Sequence, residues 1–226
     1  MGRWHVVGHG SFEAGEDDAL TVALLLAPSS CAVAAGSGRV VTETREVSSF
    51  SRIELATNGD VIVAAGPAES LTIEADDNII PSLTSEVSGT TLKLDAKPIT
   101  KIKTGNPITF RVTVKELRGL ALSGSGSITG DSLALHDLDI VISGSGRVKL
   151  AGTADTQTIA VSGSGRYDGA DLRTQRTMAD VSRSGQIVVA VGQDLKINIT
   201  GSGSVSYTGR PKIEQQVIGS GRVVEQ

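Results

Sequence analysis

The feature that most constrains this chain is a tripeptide, Gly-Ser-Gly, that recurs at a nearly constant interval through its second half. Copies begin at Gly124, Gly144, Gly163, Gly201 and Gly219, and a degenerate copy, Arg183-Ser184-Gly185, fills the gap between the third and the fourth. The intervals are 20, 19, 20, 18 and 18 residues. A period of this length is typical of repeat architectures, in which each unit packs only on its neighbours.

The residues that flank each copy repeat as well. Apolar residues stand shortly before it, as in Ile140 and Ile142, and one polar and one apolar residue follow it, as in Arg147-Val148. This alternation predicts strands on both sides of a glycine turn. A unit of 18 to 20 residues is too small to bury an apolar face alone, so neighbouring units must stack. The pattern therefore predicts an all-β fold, a β-solenoid in which each repeat is one rung.

Glycine suits these turns because it accepts positive φ and lets the next rung approach at the ~4.8 Å spacing of strands. The serines between the glycines are expected to line up and to hydrogen-bond with one another. The glycines assigned to structural turns are Gly124, Gly126, Gly144, Gly146, Gly163, Gly165, Gly185, Gly201, Gly203, Gly219 and Gly221.

The composition agrees with thin β-layers, since aromatic residues make up 3% of the chain and glycine occurs 27 times. Residues 35–226 are predicted to form a single β-solenoid domain. Within it, residues 116–226 carry the regular repeats. Residues 39–115 alternate like strands but lack the tripeptide, which indicates a more irregular β-structure that begins or caps the same solenoid.

Residues 1–34 are interpreted as a signal or leader region. The apolar run from Ala19 to Ala27 has the length of a signal-peptide core, and Ala32-Val33-Ala34 offers a cleavage site before Ala35. The acidic residues just before the run are atypical of export signals and indicate that the start of the chain is misassigned. Cys31 is an alternative lipidation site, although Pro28 stands where a lipobox carries leucine.

The body of the protein is nearly neutral. The leader region carries one basic and four acidic residues, so residues 35–226 keep 20 basic and 21 acidic residues. This balance gives no electrostatic reason to expect nucleic acid as a partner, and a membrane contact is expected only through a lipid anchor on Cys31.

The sequence offers little catalytic chemistry. His136 is the only histidine after residue 34 and alternates with apolar neighbours, so it is expected to face solvent. Asp137 with Asp139, and Asp76 with Asp77, are the candidate carboxylate pairs of a hydrolase or lyase, but neither has a basic partner in its own motif. We therefore expect no catalytic residue, no cofactor and no metal site. The aspartates that follow the half-rung glycines are interpreted as turn caps, with calcium binding as the alternative.

A polar column that follows the turns is the candidate binding surface. It consists of Ser127, Arg147, Arg166, Gln186, Ser204 and Arg222, and the residues expected to contact an acidic polymer or protein are Arg147, Arg166, Gln186 and Arg222.

Two further motifs give the chain a family resemblance. The segments Gly36-Ser37-Gly38-Arg39-Val40-Val41-Thr42-Glu43-Thr44-Arg45 and Leu71-Thr72-Ile73-Glu74-Ala75-Asp76-Asp77-Asn78, together with the serial Gly-Ser-Gly rungs, resemble the head GIN domain family of auto-transporter adhesins. The resemblance implies a right-handed parallel β-helix of bacterial envelope or secreted proteins. It supplies no catalytic residues.

The sequence thus predicts a non-enzymatic, adhesin-like binding or scaffold module outside the cytoplasm, in the periplasm, the cell envelope or secreted. Its partner is expected to be a surface polymer or protein, and homo-oligomers are possible. Two alternatives stay open: a polysaccharide lyase or hydrolase on the same scaffold, and a structural protein that assembles end to end.

Overall fold

A computed structural model of the protein describes residues 32–97 and 100–226. The predicted signal-peptide core and Cys31 lie outside this range. Within it the chain forms strands and one short 3-10 turn, Ile80–Ser82, and no helix long and apolar enough to cross a membrane occurs there. The strands are β1 (Ala32–Ala35), β2 (Val40–Arg45), β3 (Arg52–Leu55), β4 (Asp60–Ala65), β5 (Ser70–Asp76), β6 (Leu83–Ser88), β7 (Thr91–Ala96), β8 (Thr100–Lys103), β9 (Thr109–Val114), β10 (Gly119–Leu122), β11 (Ser127–Ile142), β12 (Arg147–Val161), β13 (Arg166–Arg183), β14 (Gln186–Gly201), β15 (Ser204–Thr208), β16 (Lys212–Gly219) and β17 (Arg222–Glu225).

The second half is a parallel β-solenoid, as the repeat predicts. Strands β11 to β14 run for 15 to 18 residues each and stack in parallel along most of their length. Equivalent residues of successive repeats lie opposite each other, so Ile140 is followed by Ile159, Ala179 and Ile197 in one buried column. Register shifts occur in the middle of the long strands, where each rung bends.

In the first half the rungs do not stack in chain order. Strand β3 lies between β7 and β10, and β4 lies between β9 and β11. The rung of β3 and β4 is therefore covered on one side by later strands, β7 and β9, before the regular repeats continue on its other side. In residues 39–115, later strands therefore return to pack on an earlier rung, and no constant sequence interval separates the rungs.

Antiparallel strands close the solenoid at this end. Strand β5 pairs with β9 and β2, and β6 pairs with β7, all in antiparallel register. The guanidinium of Arg45 in β2 donates hydrogen bonds to the carbonyl oxygens of Leu83 (2.9 Å) and Ile80 (3.1 Å). Antiparallel pairing and this side-chain tie cover most of the apolar cross-section at this end, where Val87 of β6, opposite buried Leu92, is 36% exposed.

The core is one continuous column of aliphatic side chains with a small polar network inside it. Buried Tyr167 donates a hydrogen bond of 2.9 Å to Gln157 Oε1, and Gln157 Nε2 donates one of 3.0 Å to Thr177. Thr174 extends the network to the carbonyl oxygen of Ala190. Burial raises the pKa of the Tyr167 phenol, which keeps its proton as the donor.

Candidate functional site

The Gly-Ser-Gly turns form the corners of the rungs. Most of their glycines are required because successive rungs approach each other closely there. A Cβ atom on Gly144 would lie 2.1 Å from the carbonyl oxygen of Gly124, and one on Gly163 would lie 2.3 Å from that of Gly144. Positive φ, the other reason expected from the sequence, applies only to Gly201 and Gly219 among the turn glycines. The close stacking aligns the corners into a straight edge, which positions the side chains on either side of it.

The central serines of the corners are exposed, and the structure corrects the expectation that they pair with one another. Within residues 100–226, no hydrogen bond joins Ser125, Ser145 and Ser164 or the later members of the series. Strands stand about 4.8 Å apart, which is longer than a hydrogen bond between hydroxyl oxygens, so adjacent serines do not reach each other without tilting. Their hydroxyl groups face solvent and are free to bind a ligand.

The polar column predicted from the sequence forms a continuous ladder. In register order it runs Asp60, Ser127, Arg147, Arg166, Gln186, Ser204 and Arg222. Ser127 donates a hydrogen bond of 2.6 Å to Asp60, and Arg166 donates one of 3.1 Å to the Gln186 side-chain oxygen. Asp60, and Thr109 opposite it on β9, were not evident from the sequence, because their rungs carry no tripeptide.

The two arginines of this ladder are neighbours. Arg147 lies directly opposite Arg166 on the adjacent strand, and no carboxylate forms an ion pair with either of them in the part of the chain that the structure describes. Like charges opposite each other on neighbouring strands destabilise a sheet. The pair therefore creates a local positive potential that folding alone does not require.

The end of β8 and the loop after it, residues 102–108, form a second wall facing the corners, which we call the wall loop. It is held by Asp76, which is buried with 1% of its surface exposed. The carboxylate accepts hydrogen bonds from the Thr104 hydroxyl (2.5 Å) and the Asn106 amide (2.7 Å). These two bonds, with a third from the Gly38 amide, lower the pKa of Asp76 below its usual value.

The next two residues fix the outlying Gly-Ser-Gly copy at residues 36–38. Asp77 accepts a hydrogen bond of 2.6 Å from the Ser37 hydroxyl, and Asn78 donates one of 2.6 Å to the carbonyl oxygen of Ala35. Asp76 and Asp77 were a candidate catalytic pair in the sequence. In the structure they form, with Asn78, a clamp between the start of the domain and the wall loop.

The wall loop and the corners enclose a groove of about 1080 Å³, which we call the corner groove. Three basic side chains line it: Lys103 on the wall, and Arg147 and Arg166 on the ladder. Asp60, already bonded to Ser127, is the acidic residue among the groove's lining. The remaining polar lining includes Ser125, Ser145, Ser164 and Gln186. The corner groove thus combines positive charge with a row of neutral hydroxyl and amide groups.

The other carboxylate pair lies elsewhere, near a smaller groove of about 510 Å³. Asp139 forms an ion pair of 2.6 Å with Arg52, a residue 87 positions earlier, and Asp137 accepts a hydrogen bond from Thr156. His136 faces solvent, as expected, and its contact with Asp155 raises the pKa of the imidazole. Residues 32–97 and 100–226 contain no cluster of three or more side chains suited to hold a metal ion.

Comparisons with known proteins place the chain in a family. The sequence model of the family described as "Putative auto-transporter adhesin, head GIN domain" matches residues 49–211. The chain belongs to the head GIN domain family. The match confirms the family that the sequence motifs indicate, and it contains the wall loop, the arginine pair and the corners up to Gly203.

Solved structures share the fold of this head GIN domain. A crystal structure titled as a putative adhesin from Bacteroides fragilis NCTC 9343 has a TM-score of 0.72 at 23% identity and covers 85% of this chain and 100% of its own. One titled as a putative lipid binding protein from Parabacteroides distasonis ATCC 8503 has a TM-score of 0.58 at 24% identity and covers 86% and 99%. None of the curated proteins compared matches the chain.

Proposed function

We propose that this head GIN domain is a non-enzymatic, adhesin-like binding module of the bacterial cell envelope that holds an acidic polymer in the corner groove. The observation that carries the proposal is the stacked pair of Arg147 and Arg166 on the groove floor, without a carboxylate partner in the described residues, opposite Lys103 on the wall. A bound anion would relieve the repulsion between the arginines, and binding would therefore be coupled to a local gain in stability.

The geometry favours an extended ligand over a compact one. The ladder runs along the stacking direction of the rungs, so its members are spaced at about the 4.8 Å separation of strands. Guanidinium groups bind carboxylate and sulfate oxygens through two parallel hydrogen bonds. The exposed serine hydroxyls beside the arginines supply donors and acceptors for the neutral groups of the same polymer.

The proposal is tested with a polyuronate as the probe and the double variant R147A/R166A. Hydrogen bonds to charged groups contribute about 1.5–3 kcal/mol each, so each lost arginine should weaken binding by about 10-fold or more. The dissociation constant is measured by calorimetry at low salt, where ion pairing is least screened.

The matched control is R173A/R176A, which removes the same charge from exposed positions outside the corner groove. Equal losses of affinity in both double variants would mean that net charge, and not the groove, determines binding. Failure of the wild-type protein to bind polyuronate or sulfated glycans would reject an acidic polymer as the ligand.

The polysaccharide lyase or hydrolase has no observation in its favour beyond the carboxylates themselves. Asp137 and Asp139 are exposed and already engaged by Thr156 and Arg52, and Asp76 and Asp77 are held in the clamp. A general acid or base needs a carboxyl group that is free to meet the substrate. We therefore propose no catalytic role.

An extracytoplasmic location is part of the same proposal. The adhesin description of the family supports it, together with the leader predicted in residues 1–34. Lipidation of Cys31 stays a prediction, and mass spectrometry of the protein from its native host distinguishes a lipidated Cys31 from cleavage before Ala35.

A further inference from the structure

The two ends of the solenoid differ in how their apolar interior is treated. At the capped end, the side chains of Leu71, Ile73 and Leu83 are no more than 3% exposed. At the other end, Ile213 and Val217 of β16 are 39% and 40% exposed. At the capped end one inward-facing residue, Val87 of β6 opposite buried Leu92, is also 36% exposed, so the interior is covered less completely at the β16 end, where two such residues are exposed.

The exposed residues of β16 occupy inward-facing positions. Ile213 lies opposite Leu195 and Val217 opposite Ile199, and both residues of β14 are buried at 1% exposure. Residues opposite each other on parallel strands point to the same face, so Ile213 and Val217 continue the core column. Ile213 and Val217 are therefore the exposed last members of the core column and not isolated apolar residues on the surface.

The outer backbone edge of β16 is also open. Among the strands of residues 32–97 and 100–226, β16 pairs with β14 alone. An unpaired strand edge with an apolar face is a template for one more strand. A partner that fits must supply both backbone hydrogen bonds and an apolar inward face.

The sequence of β16 is complementary to itself in the antiparallel register centred on Gln215, which pairs residues 212–218. If Gln215 lies on a two-fold axis, Ile213 of each copy faces Val217 of the other, and the two Gln215 amides meet. Outward-facing positions then place Glu214 against Gln216 and Lys212 against Ile218, with no like charges opposed. A register centred on Glu214 would instead oppose two carboxylates, and a shift by one residue would turn apolar side chains outward.

We infer that β16 is a dimer interface, at which two copies of this chain pair their open ends across a two-fold axis. An isologous contact of this kind closes after two subunits. Filaments assembled end to end would instead pair β16 with an edge at the opposite end, such as that of β6, which has one neighbouring strand in the described residues, and their larger mass distinguishes them from a dimer. This inference does not depend on the ligand of the corner groove.

The first test is the mass of the full chain in solution, with V217K as the disrupting variant. The wild-type protein is expected as a dimer and V217K as a monomer, because a charge would be buried in the apolar pair. The matched control is V141K, since Val141 is an outward-facing valine in the middle of the solenoid, 48% exposed. V141K should remain dimeric. A monomeric wild type at 100 μM, or higher assemblies, would overturn the inference.

The second test reads the register. In a Cys31→Ser background, Q215C should form an intermolecular disulfide on mild oxidation, because opposed residues of antiparallel strands have Cα atoms within about 5.5 Å of each other. E214C and Q216C point outward and lie away from the axis, so they should cross-link much less. A dimer in which the three cysteine variants cross-link equally would place the interface elsewhere and would also overturn the inference.

Discussion

Close approach between rungs explains why the corners of this solenoid accept only glycine at most positions. Gly144→Ala would place a methyl group 2.1 Å from a backbone oxygen that cannot move without shifting the whole rung below. We expect the substitution to lower the free energy of unfolding by about 1–3 kcal/mol or more. Denaturant unfolding measures the loss.

Gly192→Ala is the control, because its new Cβ atom would lie at an ordinary 3.6 Å from the Thr174 carbonyl oxygen. This variant should be neutral or up to about 1 kcal/mol more stable, since alanine reduces the entropy of the unfolded chain. Similar losses in the two variants would contradict the steric explanation.

The sequence predicts which glycines stand at the corners but not fully why they are there. The repeat interval reveals their alignment, whereas the distance between backbone atoms of successive rungs appears only in three dimensions. The expected serine ladder does not form for a similar reason, because alignment at the strand spacing does not bring the hydroxyl oxygens within hydrogen-bond distance. The Tyr167 and Gln157 network was missed because one tyrosine in a single rung breaks the repeat and leaves no periodic signal.

The Asp76 clamp fixes the wall loop, and its contribution to stability should depend on pH. Its pKa is lowered in the folded protein, chiefly by Thr104, so its stabilising effect is complete above the unfolded value of about 3.9. The effect is lost as the pH falls through the folded-state pKa. D76N should be less stable than the wild type at pH 7, because its amide nitrogen would face hydrogen-bond donors, and the gap should narrow below pH 4.

Thermal unfolding between pH 7 and pH 2.5 measures this gap, with D77N as the control. Asp77 is more exposed than Asp76 and bonds to Ser37 and Arg39 rather than to the wall loop. D77N should therefore leave binding in the corner groove unchanged, while D76N should weaken it. A difference in stability between D76N and the wild type that stays constant with pH would show that the carboxylate charge is not what holds the loop.

The strands of the two halves were predictable to different degrees. Constant intervals fixed the rungs of residues 116–226, including the ladder that contains Arg147 and Arg166. In residues 39–115 the alternation predicted strands such as β3 and β4 but not their neighbours, because β7 and β9 return to stack on them from later in the chain. The long-range partner of Asp139, Arg52, was hidden by the same backtracking.

At the scale of the whole solenoid, the described residues have an end covered by antiparallel strands, an end at which β16 has one neighbour, and a large groove between distant parts of the sequence. The groove combines a repeated surface with a wall from the irregular half, so neither half alone supplies the site. Repeat proteins commonly use such extended surfaces for binding. A two-fold dimer through β16 would carry two copies of the groove and would raise the avidity for a polymer that reaches both.

Binding of an acidic polymer in the corner groove is tested most directly by a map of the ligand contacts by nuclear magnetic resonance. A short oligouronate is titrated into the ¹⁵N-labelled protein, and the shifts of backbone amides are followed. We expect the largest shifts on Lys103 and the wall loop, on Ser145 and Ser164, and on Arg147 and Arg166. Shifts concentrated around His136 and Asp139, or at β16, would contradict this expectation.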